Sequence, residues 1–322
     1  MKKTAIRLSA LLLCISMVWV TAYATDYLIP GGQVIGLSLT DDSVTVAAID
    51  ETIGQQARQK GICVGDRLLR IDETAIKTVE DVRNALRTSE GSITLQLQRQ
   101  GQTHTLKLSP TITSDGPKLG LLLRQGVSGI GTVTFYDPDT GAFGTLGHGV
   151  NGADGKLLSI TGGTAYEAAV ASVKQGKVGQ PGQLRGAVDG QKPLGSLQIN
   201  SARGVFGKAD SRWQGSAIPV AAAEEITTGC ATILSTVGGE GVQEYSVEIL
   251  KIYPKTKTAD RNLLIHVTDP RLLSATGGIV QGMSGSPILQ NGKLIGAVTH
   301  VLVNDPTTGY GIFIENMLAA AA

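Results

Sequence analysis

The stretch QGMSGSPILQNGKLIGAVTH, residues 281–300, limits the fold of this chain more than any other feature. It places Ser284 between Gly282 and Gly285 and follows it at once with two apolar runs separated by Asn291-Gly292. Asn-Gly between apolar runs is the strongest short-range signal for a two-residue hairpin turn. The sequence therefore predicts a serine on a tight turn that leads directly into a β-hairpin.

A serine on such a turn has three interpretations: a plain loop, an α/β-hydrolase elbow, or the nucleophile turn of a two-barrel serine protease. The elbow needs G-x-S-x-G before a helix, but Ser286 stands in place of the last glycine and Pro287 opens the hairpin. Chymotrypsin-like proteases place their nucleophile on a glycine-flanked turn before such a hairpin. The glycines would let the amides of Gly282 and Ser284 point at one spot, as an oxyanion hole requires. We therefore predict Ser284 as nucleophile, with a plain glycine-serine turn as the alternative.

A nucleophilic serine needs a base, and the chain has only four histidines. His148, in GTLGHGV, lies between glycines at the end of an apolar strand and is our candidate. His266 lies within an apolar strand and is predicted to be structural, and His104 projects from a strand. His300 follows the hairpin and is a candidate for the substrate pocket, with a structural role as the alternative. No His, Cys or carboxylate pair has metal-ligand spacing, so neither a metal nor another cofactor is predicted.

Composition supports a turn-rich β fold. Glycine accounts for 42 of 322 residues, where a usage of about 7% would give roughly half that number. Short strand signals continue beyond residue 119 without a parallel βαβ rhythm, which favours a barrel or sandwich pair. The net charge of +1 gives no indication of nucleic-acid binding. The length allows two domains, so we predict a mainly β chain.

The first 26 residues have the pattern of an export signal. A basic start precedes an apolar run from Leu8 to Val20, and Ala22-Tyr23-Ala24 provides a small-x-small ending. The run is short for a spanning helix, yet it could remain as an uncleaved anchor. We expect an exported protein, with removal and retention of residues 1–26 both open and membrane association possible through this segment.

Residues 27–110 resemble a PDZ domain. The resemblance rests on GICVGDRLLRIDETAI, on VIGLSL in the place of the carboxylate-binding loop, and on a helix predicted within TVEDVRNALRTSEG with Thr78 as N-cap. It implies a domain that binds a peptide as an added strand. The predicted peptide-binding loop consists of Val34, Ile35, Gly36 and Leu37. Residues 111–118 are predicted as a linker and 119–322 as the peptidase domain, so a fragment from Leu119 onward is expected to keep the catalytic residues.

Cys63 and Cys230 are too few for a disulfide framework. We expect both to be buried as small apolar residues.

The long motifs make a family resemblance specific. These motifs are GTVTFYDPDTGAFGTLGHGV and NLLIHVTDPRLLSATGGIVQGMSGSPILQNGKLIGAVTHVLVNDPTTGYGIFIENML. With the signal and PDZ-like front, the chain resembles the stage IV sporulation protein B peptidases of endospore-forming bacteria. The resemblance implies a PDZ domain followed by a chymotrypsin-like double β-barrel, and a triad of His148, Asp269 and Ser284. It also implies action in the space between the forespore and mother-cell membranes, where the peptidase cuts itself and a regulator of a membrane-embedded metalloprotease that processes a sigma factor.

Two alternatives remain open from the residues. Asp189 fits the ordinary chymotrypsin-like spacing of the acid better than Asp269, which lies shortly before Ser284. The second alternative concerns function, because a PDZ-bearing chain with a protease fold could act as a catalytically silent scaffold or binding protein at the membrane surface. The intact pair of Ser284 and His148 favours a serine endopeptidase.

Overall fold

The computed structural model describes residues 27–89, 91–152, 155–239, 241–253 and 261–322. The predicted signal or anchor segment, residues 1–26, lies outside the described residues. The strands are β1 Tyr27–Pro30, β2 Val34–Ile49, β3 Arg67–Ile71, β4 Thr74–Ala75, β5 Ile93–Arg99, β6 Gln102–Leu108, β7 Thr111–Thr113, β8 Gly116–Lys118, β9 Leu121–Tyr136, β10 Ala142–Thr145, β11 Ile160–Lys174, β12 Gln183–Ser201, β13 Gly204–Ala209, β14 Ile218–Pro219, β15 Gly229–Ser235, β16 Gln243–Ile252, β17 Leu263–Val267, β18 Pro287–Gln290, β19 Lys293–Leu302 and β20 Asp305–Phe313. The helices are α1 Gln55–Gln59, α2 Val79–Thr88, α3 Pro270–Thr276 and α4 Ile314–Ala321, with a short 3-10 turn at Ala223–Glu225.

Two closed rings of antiparallel strands form the larger part of the molecule. The first ring runs β9-β10-β13-β12-β11-β2 and closes through the pairing of β2 with β9. The second runs β15-β16-β17-β20-β19-β18. Each ring encloses aliphatic side chains, such as Leu197 and Val205 in the first and Ile265 and Ile288 in the second. This arrangement confirms the predicted mainly β, double-barrel fold.

The predicted hairpin after Ser284 is present as β18 and β19. Gln290 pairs with Lys293 across the turn, and both Asn291 and Gly292 have positive φ, 52° and 75°. A type I′ turn needs positive φ at both central residues, which is why Asn-Gly occurs here. The hairpin belongs to the second barrel and sets the position of the serine turn immediately before it.

The PDZ-like unit is inserted into the first barrel rather than placed ahead of it. Strands β2 and β9 are 16 residues each and pair along their length, from Val34 opposite Thr132 to Ile49 opposite Leu121. The second half of β2 and the start of β9 pack with β3, β5, β6 and α2 around a separate apolar core. At the joint, the buried carboxylate of Asp41 accepts a hydrogen bond from the amide of Gly126 at 3.0 Å.

The predicted domain boundaries are therefore wrong. Strand β1 and the first half of β2, within the predicted PDZ range of 27–110, pair with barrel strands. The predicted linker 111–118 forms the β7-β8 hairpin, and the first residues of the predicted peptidase range, 119–123, complete the PDZ-like core. One strand can belong to two units. The alternation of side chains determines which residues face each side of the strand, but it does not determine which strands pair with it at each end.

The predicted peptide-binding loop is also wrong, because Val34, Ile35, Gly36 and Leu37 form a buried barrel strand. Their neighbours are β9 on one side and β11 on the other. Gly36 marks a close packing contact and not a loop, since an added Cβ would lie 2.5 Å from a methyl group of Val188.

Helix α2 has the predicted start. The hydroxyl of Thr78 accepts from the amide of Asp81 at 3.1 Å, and the Asp81 carboxylate accepts from the Thr78 amide at 2.8 Å. This reciprocal pair is a capping box. It fixes the end of the helix that borders the groove described below.

The expectation that Cys63 and Cys230 are buried is wrong. Both are exposed free thiols. Cys63 lies in the turn before β3, and Cys230 lies on β15, where alternate residues face out of the barrel. Within the described residues, no helix is both long enough and apolar enough to cross a bilayer.

Candidate active site

The serine turn is held between the two barrels. Gly285 donates its amide to Val298 O in the second barrel at 2.8 Å, while the Ser284 carbonyl accepts from the amide of Thr132 in the first. Gly285 has a φ of +97°, and a Cβ there would lie 2.0 Å from Thr132 O. A side chain at this position would push the barrels apart, so the glycine after Ser284 is required by close backbone approach as well as by conformation.

The backbone of the turn can be accounted for group by group. Every carbonyl oxygen from residue 281 to residue 285 accepts a hydrogen bond. The donors, in the order of the carbonyls, are the Leu184 amide, the Thr132 hydroxyl, the Ser286 amide, the Thr132 amide and the Thr134 hydroxyl, at 2.8, 2.7, 2.9, 3.0 and 2.8 Å.

The amides of the same turn divide into two groups. Those of Gln281, Met283 and Gly285 donate to backbone carbonyls. Within the described residues, the amides of Gly282 and Ser284 have no acceptor. Both residues are partly exposed, so these two N–H groups, on either side of Met283, are accessible to solvent or to a bound substrate. They are the two groups that we predicted for an oxyanion hole, and that assignment stays a prediction.

Ser284 and His148 are brought to the same region without a direct hydrogen bond. The Ser284 hydroxyl donates to Thr299 O at 2.7 Å. The next residue, His300, packs its ring against His148 with centroids 4.9 Å apart. A Cβ added at Gly147 would lie 2.9 Å from the Thr299 side chain. The histidine loop therefore lies against β19, the strand whose Thr299 carbonyl accepts the hydrogen bond from Ser284.

The ring of His148 is held in one orientation by its own backbone. Its Nδ1 lies 3.0 Å from Gly149 O. Because a carbonyl oxygen only accepts, this contact requires the proton on Nδ1 and leaves Nε2 as the basic nitrogen. That is the tautomer a general base for serine needs.

The predicted acid, Asp269, is used elsewhere. It is the N-cap of α3, is buried, and accepts from the amides of Arg271 and Ser246. The Arg271 guanidinium donates through Nε at 3.1 Å and Nη2 at 2.7 Å. Hydrogen bonding to this guanidinium holds the pKa of Asp269 well below its usual range. Within the described residues, no hydrogen bond joins Asp269 to His148.

The alternative acid, Asp189, is a half-exposed residue of β12. It lies 3.6 Å from Lys192, which also pairs with Glu167 at 3.3 Å. Asp269 is thus engaged by Arg271 and Ser246 and Asp189 by Lys192, and the choice between the two acids stays open.

Other polar residues near the site have structural contacts. Ser286 is fully buried and donates to the Ser235 hydroxyl at 3.2 Å, inside the second barrel. His266 is half-buried, with Nδ1 3.3 Å from the hydroxyls of Thr307 and Thr308. Within the described residues, no cluster of three His, Cys, Asp or Glu side chains could hold a metal ion.

A cleft of about 690 Å³ adjoins the serine turn on the side of the first barrel. Its walls include Ile130, Leu184 and Val188, with Tyr166 and Arg185 at the same cleft. An added Cβ at Gly282 would lie 3.0 Å from Leu184 and 3.3 Å from Ile130. The cleft is mostly apolar, and two of its wall residues pack beside Gly282, which suits the side chain of a bound peptide.

A second groove, of about 870 Å³, was missed by the sequence reasoning. It lies in the PDZ-like unit between α2 and the start of β9, and its lining includes Val82, Leu86 and residues 117–123. Residues 118–121 read Lys-Leu-Gly-Leu, with Gly120 at a φ of +66° just before the strand. A glycine between apolar residues ahead of a strand is the signal that we had assigned to Gly36, and here it occurs in a loop.

Two closed β-barrels that hold a serine turn with two free amides beside a histidine loop define a serine peptidase with a chymotrypsin-like architecture. The family model described as SpoIVB peptidase S55 matches residues 115–318, and the chain belongs to this family.

Shorter matches occur with curated proteins. The chain is 34% identical over 101 residues to a putative zinc metalloprotease of Rhizobium meliloti and 29% identical over 101 residues to one of Bartonella henselae. The matches cover 31% and 30% of this chain and 26% and 28% of the relatives. The chain thus spans about a quarter of the length of these curated relatives.

Solved structures with similar parts include proteases and a PDZ domain. The active form of the Rv3671c protease from M. tuberculosis aligns with 60% of this chain and 73% of its own at 18% identity, with a TM-score of 0.37. The HtrA-type protease AlgW with a decapeptide aligns with 88% of this chain and 61% of its own at 12% identity and a TM-score of 0.38. The PDZ domain of an SdrC-like protein from Listeria monocytogenes aligns with 26% and 87%, at 17% identity and a TM-score of 0.22.

Proposed function

We propose that this chain is an exported serine endopeptidase of sporulation signalling, which cleaves itself and a membrane-associated regulatory protein. The observation that carries the peptidase chemistry is the pair of available amides at Gly282 and Ser284, in a turn where every carbonyl is satisfied. Family membership supports the signalling role. The proposed place of action is the space between the forespore and mother-cell membranes, with residues 1–26 as export signal or anchor.

In the proposed mechanism, Ser284 Oγ leaves Thr299 O and turns toward His148. Nε2 of His148 takes the serine proton as Oγ attacks the peptide carbonyl, and the amides of Gly282 and Ser284 stabilise the oxyanion. The imidazolium then gives its proton to the leaving amine, and water hydrolyses the acyl-enzyme by the same steps. Catalytic hydrogen bonds are often long or misaligned before substrate binds, so the observed Ser284 contact is compatible with this role.

The family resemblance assigns the third triad member to Asp269. In the present structure the group that fixes the His148 tautomer is Gly149 O, while Asp269 binds Arg271 and Ser246. We therefore propose Ser284 and His148 as the reacting pair. The alternative, in which Asp269 is the triad acid as the family resemblance implies, is distinguished by the Asp269→Asn variant, and His300 is kept as a predicted residue of the substrate pocket.

We propose the groove between α2 and β9 as the peptide-binding site of the PDZ-like unit. At residues 121–125, β9 pairs with β2 on one side, while α2 borders the groove on the other. A peptide can add there as a strand, so that backbone hydrogen bonds give affinity and the apolar floor gives selectivity. The proposed occupants are segments of the membrane-associated partner or of the chain itself. Partner cleavage is proposed to activate a membrane-embedded metalloprotease.

The test is a comparison of two serines in the same turn. Purified chain is incubated alone and with an active-site-directed fluorophosphonate, and self-cleavage and labelling are followed. Ser284→Ala should lose both, whereas Ser286→Ala, whose hydroxyl is buried against Ser235, should keep both. Retention of cleavage by Ser284→Ala would exclude the mechanism.

A folded wild type that neither cleaves nor labels, yet captures peptides in the groove, would support the scaffold alternative instead. Binding can be measured by fluorescence polarisation with apolar peptides that end in a free carboxylate. The partner role is tested separately, by co-incubation with membrane proteins of a sporulating cell and comparison of wild type with Ser284→Ala.

A further inference from the structure

Thr132 hydrogen-bonds to both candidate catalytic segments. Its hydroxyl donates to Gly282 O at 2.7 Å and its amide donates to Ser284 O at 3.0 Å. Its own carbonyl accepts from the Thr145 hydroxyl at 2.6 Å and from the Leu146 amide at 3.4 Å. Residues 145 and 146 lead directly into His148, so a single residue of β9 ties the serine turn to the histidine loop.

The choice of threonine at this position is chemically informative. The side chain is completely buried, as is that of Thr134 two residues later on the same face of the strand. Valine has the same shape and is common at buried strand positions, so packing alone does not require a hydroxyl. With valine, the Gly282 carbonyl would lose the hydrogen bond that the Thr132 hydroxyl donates. Leaving such a carbonyl without a donor is destabilising, and this explains why the position holds a hydroxyl.

The two carbonyls that Thr132 holds flank the Ser284 amide: the Gly282 carbonyl lies in the peptide unit between the two free amides, and the Ser284 carbonyl lies in the unit that follows Ser284. The Gly282 carbonyl belongs to the unit that leads to Met283, and its direction constrains the rotation of the Gly282 backbone. The Ser284 carbonyl fixes the opposite end of the nucleophile residue. Gly282 has a φ of +100°, a region where glycine turns easily, so without an anchor this unit could rotate and redirect the neighbouring N–H.

We infer that Thr132 is a positioning residue that holds the turn at residues 282–284 with the Gly282 and Ser284 amides directed outward for catalysis. The inference rests on the proposed peptidase function. It assigns no contact with substrate to Thr132, which acts through the turn.

The test compares the loss of one hydroxyl with the loss of a matched one. Thr132→Val should lower kcat by about 10- to 100-fold with little change in KM, since removing a whole oxyanion donor costs roughly 10²- to 10³-fold. Thr132→Ser keeps the hydroxyl and should restore most of the kcat. Thr134→Val removes an equally buried hydroxyl that binds Gly285 O and should be similarly destabilised, but with a smaller change in kcat.

A second readout does not depend on turnover. In a Ser284→Ala background, hydrogen–deuterium exchange of the peptide covering residues 281–286 should accelerate in Thr132→Val and stay near the parent rate in Thr132→Ser. If Thr132→Val does not fold, Thr132→Ala and Thr132→Ser give the same comparison. Equal kcat and equal exchange in the Thr132→Val and Thr134→Val variants would overturn the inference. A wild type without turnover, in which Thr132→Val still accelerates exchange, would refute the proposed function and support the positioning role.

Discussion

Asp269→Asn separates a catalytic acid from a structural cap. The wild-type carboxylate accepts four hydrogen bonds, three of them from Arg271 and one from the Ser246 amide. An asparagine can still accept from the Arg271 amide with its one carbonyl oxygen. Its NH2 group would then face the Ser246 amide and the Arg271 guanidinium, which are donors too. The variant therefore loses the ion pair and leaves the Ser246 amide or the guanidinium without its acceptor.

The expected cost can be worked from exposure. Hydrogen bonds to a charged group contribute about 1.5–3 kcal/mol each when buried. The Asp269 side chain is 5% exposed, but that of Arg271 is 62% exposed, so water replaces much of the guanidinium contribution. We expect a total loss of about 2 kcal/mol, which lowers the Tm of a domain of this size by about 4–8 °C. Arg271→Gln keeps the backbone amides of Arg271 and Ser246 as donors to Asp269, so it should cost less than Asp269→Asn.

The same pair predicts a pH dependence with a definite sign. The pKa of Asp269 is lower in the folded state than in the unfolded state, where it is about 3.9. Its stabilisation is therefore fully present above about pH 4 and is lost as the pH falls through the folded pKa. The difference in unfolding free energy between wild type and Asp269→Asn should be largest near pH 7 and smaller at pH 3.

The value of kcat decides whether Asp269 is a catalytic acid or a helix cap. Because Gly149 O already holds the His148 proton, we expect Asp269→Asn to keep kcat within about tenfold when assayed well below its Tm, whereas loss of a triad acid costs about 10⁴-fold. Denaturant unfolding and peptide turnover should be measured on the same preparations of Asp269→Asn, Arg271→Gln and the double variant. A 10⁴-fold loss of kcat with an unchanged Tm would refute the structural reasoning and restore the triad that the family resemblance implies.

Three further outcomes follow from other parts of the structure. Cys63 and Cys230 should both react with a thiol reagent in the native protein, and reaction only after unfolding would contradict their exposure. Thr78→Ala removes the N-cap of α2 and should cost about 1 kcal/mol in denaturant unfolding, whereas Thr78→Ser should be nearly neutral. Asp66→Asn removes the 1%-exposed carboxylate that accepts from Arg99 Nε and Nη2, each at 2.7 Å; because the Arg99 side chain is 36% exposed, the expected destabilisation of the PDZ-like unit is about 2 kcal/mol. Arg99→Lys cannot make both bonds and should also lose stability, so an unchanged stability in Arg99→Lys would argue against the bidentate geometry.

The serine turn and its hairpin could be predicted from sequence because their signals are local. Asn291-Gly292 determines the turn, and the glycines around Ser284 determine a backbone that other residues cannot adopt. The glycine-flanked His148 could be chosen as base for a similar reason. These patterns do not indicate where a side chain points. The contacts of Ser284 with Thr299 and of His148 with Gly149 therefore had no local signal.

The cap role of Asp269 has a local sequence signal. Asp-Pro opens the segment DPRLLSATGG, and Gly277-Gly278 closes it, which is the pattern of a short helix with Asp as N-cap and Pro at its first position. The structure has this helix as α3. The same aspartate therefore carries a cap signal as well as the position of a candidate acid, and the structure uses its carboxylate to satisfy the helix N-terminus. Its partner Arg271 stands two residues further on in the same segment.

The sequence did not indicate which strands pair with one another. The observed pairing leads to a final prediction about where the chain can be divided. A fragment beginning at Leu119 would lack β1 and β2, so the first barrel would lose one of its six strands together with both of its edges to β9 and β11. We expect it not to fold, contrary to the expectation from the linear domain order. An internal deletion should succeed, because Leu39 and Val127 are directly paired across β2 and β9.

Replacing residues 40–126 by Asn-Gly joins Leu39 to Val127 with the two-residue turn that such a pair accepts. It sacrifices only the terminal pairings of β2 with the start of β11, at residues 160 and 162. This variant should unfold cooperatively, react with fluorophosphonate at Ser284 and cleave a short peptide, while losing capture of peptides by the α2-β9 groove. Because Thr132 and its contacts to the serine turn lie on the retained half of β9, the chemistry should survive removal of the PDZ-like unit. If the fragment from Leu119 folded and reacted while the internal deletion did not, the first barrel could not be the ring of six strands described above.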